Sequence, residues 1–114
     1  MNDTRRSPRH KVDAVVHVQN AITGAAMGRL GNLSADGMML IATQPVVEDA
    51  LYQVQFALPD RHGVPQMIEI GIHQQWNAPA SIRDQYWAGF RIIDLGKREH
   101  QVLDDWLKRH PGDS

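Results

Sequence analysis

The chain has 114 residues, 42% of them hydrophobic and 22% charged, the balance of one globular domain with a single modest core rather than of a disordered segment. It has no cysteine, which excludes a disulfide scaffold and cysteine-ligated zinc. No apolar run approaches the about 20 residues needed to span a bilayer, and the polar stretch Met1–Lys11 has no signal-peptide core, so no membrane span and a cytoplasmic setting are expected.

Residues 1–11 read as an arginine-bearing arm. Arg5, Arg6, Arg9 and Lys11 against Asp3 give it a balance of +3, which leaves −4 on residues 12–114 of a chain whose net charge is −1. A cationic arm on a slightly acidic body points to a local anionic partner rather than to a broad DNA-binding face. Val12, Ala14, Val16 and Val18 then alternate with Asp13, Val15, His17 and Gln19, the period of a half-buried strand. A turn through Gly24 leads to a second strand, Ala26 to Leu33, which Ser34-Ala35-Asp36-Gly37 interrupts. Met38 to Ala42 is a continuous apolar run that suits a strand covered on both faces, and Pro45 ends it. Tyr52, Val54, Phe56 and Leu58 mark a fourth strand, and Pro59-Asp60-Arg61-His62-Gly63 a tight turn. Ile68, Ile70 and Ile72 mark a fifth strand ending near Trp76, and Tyr86 to Asp94 a sixth. The period then changes: Val102, Leu103, Trp106 and Leu107 lie on one face of a helix from Lys97 to Arg109, stopped by Pro111-Gly112. Six short antiparallel strands leave adhesive edges unless the sheet closes, so the expected fold is an all-β, six-stranded antiparallel barrel with a C-terminal helix packed across or capping it.

Two short motifs stand out. Arg5-Arg6-Ser7-Pro8-Arg9 contains an R-x-x-x-R spacing directly before the first strand, and Asn32-Leu33-Ser34-Ala35-Asp36-Gly37 has the form N-x-S-x-x-G between the second and third strands. In this order, on this strand pattern, they resemble the signature of the PilZ domain family, RxxxR followed by [D/N]xSxxG on a six-stranded barrel with a C-terminal helix. Trp76 near the end of strand five and the pair Gly89-Phe90 in strand six also fit. The resemblance covers essentially the whole chain. It implies binding of the bacterial second messenger cyclic di-GMP, with Arg5, Arg9, Asn32, Ser34 and Gly37 forming the site.

The chemistry of these residue types supports that expectation independently. Guanine presents O6 and N7 as adjacent acceptors, which a guanidinium fork meets with two parallel hydrogen bonds. The same plane also stacks on a base face. Arg5 and Arg9 flank Pro8, which restrains the chain between them. Arg6 adds phosphate attraction or a further stacking plane. Asn32 offers a carbonyl acceptor to the guanine N1–H and N2 edge. Ser34 either bonds the ligand or closes a local turn, and Gly37 supplies a special backbone conformation or simply an absent side chain. Trp76 is in phase with the inward isoleucines and so is expected to face the core, yet at a strand end an indole can also stack on a base. Tyr86, Trp87 and Trp106 are assigned to packing.

Catalysis is not expected, nor any metal or cofactor. Histidines at 10, 17, 62, 73, 100 and 110 show no HxH, HxxxH or HExxH spacing, and no GxSxG, Walker A or GxGxxG run occurs. The paired carboxylates Glu48-Asp49 and Asp104-Asp105 occupy solvated positions. The reading is thus a stand-alone cyclic di-GMP receptor whose arm orders over the ligand and signals to a downstream protein of motility, exopolysaccharide or virulence machinery. The ranked alternatives are a ligand-independent PilZ-fold interaction adaptor and, third, a single-stranded nucleic-acid binder. The latter needs basic residues interleaved with aromatics, which are sparse beyond the arm.

Overall fold

The computed structural model describes residues 8–43 and 46–110. Its elements are β1 (His10–Lys11), β2 (His17–Asn20), β3 (Ala26–Leu33), β4 (Gly37–Ala42), β5 (Leu51–Pro59), β6 (Pro65–Pro79), β7 (Tyr86–Asp94) and α1 (Lys97–Arg109). All strand pairs are antiparallel, and the order β3-β2-β5-β6-β7-β4 closes on itself through a β3–β4 ladder, giving the expected six-stranded barrel. β1 pairs with β3 beside β2 and occupies the same strand position. Among the described residues no helix is long and apolar enough to cross a membrane.

The first strand differs from its expected continuous form. Val12 N–H donates to the Gly31 carbonyl at 3.1 Å and Leu30 N–H donates to the Val16 carbonyl at 2.8 Å, so neighbouring residues of β3 face Val12 and Val16. Asp13, Ala14 and Val15 are looped out between them, and Val15 is 66% exposed. The in-phase residues His10, Val16 and Val18 remain buried on either side of this excursion. A bulge of this kind bends one strand position and increases its twist, which a small closed barrel requires. Alternation alone does not reveal it, because both flanks keep the same parity.

The core follows the alternation elsewhere. Val54, Phe56 and Leu58 of β5 meet Ile68, Ile70 and Ile72 of β6, with Leu30, Leu40 and Ala88 from the opposite wall. α1 lies against the β5–β6 end of the barrel and sends Leu103 and Trp106 into the same cluster. Two guanidinium contacts clamp it there: Arg109 donates to the Pro59 carbonyl at 2.6 Å and Arg98 to the Met67 carbonyl at 2.9 Å. A third tie reaches β1. His10 is buried, its Nδ1–H donates to the His110 carbonyl, and the Trp106 ring stacks on His110 at 4.2 Å. The residue following Arg9 is thereby anchored to the end of the helix.

The β5–β6 turn is organised by Asp60, whose Oδ1 accepts from Val64 N–H at 3.0 Å and His62 N–H at 2.8 Å. These backbone donors, Val64 foremost, hold its carboxyl below the ordinary carboxylate value.

Two outcomes follow from this packing. Trp106→Ala removes the largest helix side chain in the core and is expected to lower unfolding stability by about 3–5 kcal/mol in urea titration; a loss under about 1 kcal/mol would place the ring outside the core. Asp60→Asn keeps the shape but loses the charge, so it is expected to be less stable than the parent at neutral pH. A carboxyl lowered on folding contributes stability that is present above its unfolded pKa of about 3.9 and lost as pH falls through the folded value. The gap between the two melting curves should therefore close on acidification.

Candidate functional site

The segment Ser34–Gly37 is a closed bend. Ser34 N–H donates to the Gly37 carbonyl at 2.9 Å, and its hydroxyl donates toward Asp36 Oδ1 at 3.1 Å and the Gly37 carbonyl at 3.2 Å. The Asp36 carbonyl accepts from Ile92 N–H at 2.9 Å, which stitches the bend to β7. Of the two openings for Ser34, the buried hydroxyl takes the local turn. Gly37 is not one of the left-handed glycines, which are Gly24, Gly28 and Gly63. A Cβ there would stand 3.0 Å from the Phe90 carbonyl, so the missing side chain serves the close approach of β4 to β7.

Strand register sets what surrounds the bend. Residues directly opposite one another share a face of the sheet. Lys11 faces Asn32, Asn32 faces Met39, Met39 faces Gly89, and Gly89 faces Trp76. These residues form one row across the outside of β1, β3, β4, β7 and β6, since Leu33, Met38, Leu40, Ala88 and Phe90 beside them point inward. Around the row the wall is low. A Cβ on Gly31 would stand 3.4 Å from the Met39 methyl and 3.3 Å from the Trp87 ring, and Gly37 faces Arg91. The Asn32 amide nitrogen makes only a long contact to the Met39 sulfur, 3.9 Å, and among the described residues no donor reaches its carbonyl oxygen.

Trp76 corrects the expectation of a core-facing ring. Between Gln74 and Trp76 the β6–β7 register shifts, with Gln74 opposite Phe90 and Trp76 opposite Gly89, so Gln75 is an extra residue. That bulge inverts the parity set by the isoleucines. The indole emerges on the outer face, 40% exposed, lying across Gly89 so closely that a Cβ on that glycine would overlap it.

The structure brings Asn32, Ser34, Gly37 and Trp76 to one face, and Arg9 stands exposed immediately before β1, whose His10 pairs with Leu33. Arg5 and Arg6 lie outside the described residues. Lys11, Met39, Gly89 and Arg91 share the face, although the sequence assigns none of them a ligand role: Lys11 enters as charge of the arm and Gly89 as one of a pair that fits the family. The parity of β4 and β7 carries the signal for three of them: outward positions are those between Met38 and Leu40 and those flanking Phe90. Among the described residues no group of three metal-binding side chains occurs.

The family model of the PilZ domain matches residues 3–109, and the chain belongs to the PilZ domain family. No curated protein matches the sequence. Among solved structures the fold is similar to that of the Bacillus subtilis inhibitor of motility MotI/DgrA, with a TM-score of 0.74 at 16% identity. That likeness covers 95% of this chain but 51% of MotI/DgrA, so the chain spans about half of that protein. It is also similar to the PilZ domain with c-di-GMP of YcgR from Escherichia coli, with a TM-score of 0.71 at 14% identity, over 95% of this chain and 92% of that one.

Gly89→Ala is expected to push the Trp76 indole off the sheet, seen as a displaced Trp76 indole N–H resonance with that of the core residue Trp106 unchanged. The added methyl should cost about 1–3 kcal/mol or less, because an exposed ring can move. An unmoved Trp76 resonance would refute the contact.

Proposed function

We propose that this PilZ-domain chain is a receptor for cyclic di-GMP, binding the dinucleotide without altering it between the arginines ahead of β1 and the outer face around Asn32. The observation that carries the reading is the His10–Leu33 pairing, which roots the arginine segment directly beside the Ser34–Gly37 bend. The YcgR domain, which shares the fold, is described with c-di-GMP.

In this reading Arg5 and Arg9 fork onto guanine edges and stack on their faces, with Arg6 adding attraction for the phosphates. Asn32 supplies its carbonyl oxygen, which no donor among the described residues reaches, to a guanine N1–H, and its backbone is fixed by neighbours on both sides. Ser34 holds the bend in shape, Gly37 and Gly89 keep the wall low, and Trp76 offers a stacking plane worth about 1–3 kcal/mol. The residues perform recognition and no bond-making chemistry. Ordering of the arm over the ligand then presents a new surface to a downstream protein in the bacterial cytoplasm, an order–disorder switch driven by the ligand's preference for the ordered state.

Calorimetric titration with cyclic di-GMP tests this. Arg5→Ala and Arg9→Ala are each expected to weaken binding by about 1–3 kcal/mol, the range of a bidentate guanine contact. Asn32→Asp should bind equally or more tightly, because a charged acceptor is worth about 1.5–3 kcal/mol against about 1 for a neutral one. Amide exchange at Arg9 should slow when ligand is added. A parent chain that does not bind, or a double arginine variant that binds as well as the parent, overturns the proposal and leaves the ligand-independent interaction adaptor.

A further inference from the structure

Two cations that the family signature does not contain stand on the face built around Asn32. We infer that Lys11 and Arg91 contact the two phosphates of the ligand, an inference that rests on the cyclic di-GMP reading above. Lys11 is exposed and opposite Asn32, at the β1 end of the outer row. Arg91 is exposed, opposite Gly37 across β4–β7 and two residues along the strand from Gly89. Both side chains therefore rise beside the Asn32–Met39–Gly89–Trp76 row, one at its end and one along its flank.

Their electrostatic state differs from that of Arg61, Arg98, Lys108 and Arg109, which each lie within 4.0 Å of a carboxylate. Lys11 and Arg91 have no such partner among the described residues. Two neighbouring acids are engaged elsewhere: Asp36 accepts from the Ser34 hydroxyl at 3.1 Å, and Asp49 pairs at 2.5 Å with His73, the β6 residue opposite Arg91. Asp13, two residues after Lys11, is exposed and forms no ion pair among the described residues. Arg9, Arg29, Arg83 and Lys97 likewise have no such partner among the described residues. Arg9, however, belongs to the arginine segment, Arg29 projects from another outward row beside His17 and Ile41, Arg83 lies in the β6–β7 turn and Lys97 opens the helix.

Charge balance gives the pair its task. Cyclic di-GMP carries two phosphodiesters, hence two negative charges, and residues 12–114 carry −4. With Arg5 and Arg9 forked onto guanine edges, only Arg6 of the arm is left to face the phosphates. From β1 to β7 the row crosses three strand intervals of about 4.8 Å, so roughly 14 Å separates the two backbones. A lysine and an arginine side chain are long enough to reach toward one another from those positions, across Met39 and beside the low backbone at Gly37.

Titration of Lys11→Gln and Arg91→Gln with cyclic di-GMP, at low salt and at 1 M salt, tests the assignment. Each variant is expected to bind about 3- to 10-fold more weakly at low salt, the range of a partly exposed ionic hydrogen bond. The deficit should shrink at 1 M salt, where the screening length falls to about 3 Å. Arg91→Lys should stay within about twofold of the parent, since a phosphate accepts a point charge where a guanine edge needs the fork. All three changes are at exposed positions, and matching thermal melts establish that the variants are folded. If the parent binds and the glutamine variants equal it, the inference fails while the receptor reading stands. It fails equally if their deficit is independent of salt, or if Arg91→Lys is as weak as Arg91→Gln. A parent that does not bind removes both.

Discussion

The candidate site depends on one constraint, the pairing of β3 along both of its edges. Asn32 and Leu33 are held by Lys11 and His10 on one side and by Met39 and Met38 on the other. A residue paired on both sides has little freedom to rotate or slip, so the Asn32 side chain leaves the sheet in a fixed direction. The same ladder sets the start of the bend, whose far end is then stitched to β7 through the Asp36 carbonyl. A short loop between two strands thus becomes a rigid corner, its hydroxyl and backbone groups satisfied locally. What remains open to a ligand is what the corner does not use: one amide oxygen, exposed aromatic surface and low backbone.

Glycine makes that low backbone for two different reasons. At Gly37 the neighbouring β7 carbonyl stands where a Cβ would crowd it, and at Gly89 the Trp76 ring fills the space. Neither residue requires a left-handed conformation. In both cases the sheet gives up a side chain to let another group come close. Met39 lies between them as the one large residue of the middle of the row, half-buried and unbranched, able to adapt its shape to a flat ligand.

Most of this fold was legible in the sequence because its main signals are periodic. The helix runs over Lys97–Arg109 as its spacing predicts, and β3 and β7 keep their expected bounds. Periodicity fails where the chain inserts residues without changing composition. The excursion of Asp13–Val15 preserves parity, so an alternating run reads as one strand when it is two. Gln75 does the reverse, changing parity in a run that looks uninterrupted and turning Trp76 from the core to the outer face. Both events are decided by how strands must bend to close a barrel, a tertiary demand that no local window contains. Cross-strand neighbours such as Arg91 and Gly37 are hidden for a related reason, since their meeting depends on register and not on sequence distance.

The root of the arginine segment links this face to the other end of the molecule. His10 is buried between β3 and the helix terminus, bonded to the His110 carbonyl and tilted against the Trp106 ring at 6.3 Å. Arg9 therefore departs from a fixed point, and closing a segment that is tethered near its target costs less entropy than capturing a distant one. The same anchor makes the arm and the helix end mechanically contiguous. A ligand that fixes the residues before His10 acts on a side chain already wedged against Trp106, itself part of the main core. In the proposed reading, the path from a ligand held by that segment to the C-terminal end of α1 therefore runs through packed atoms rather than across solvent.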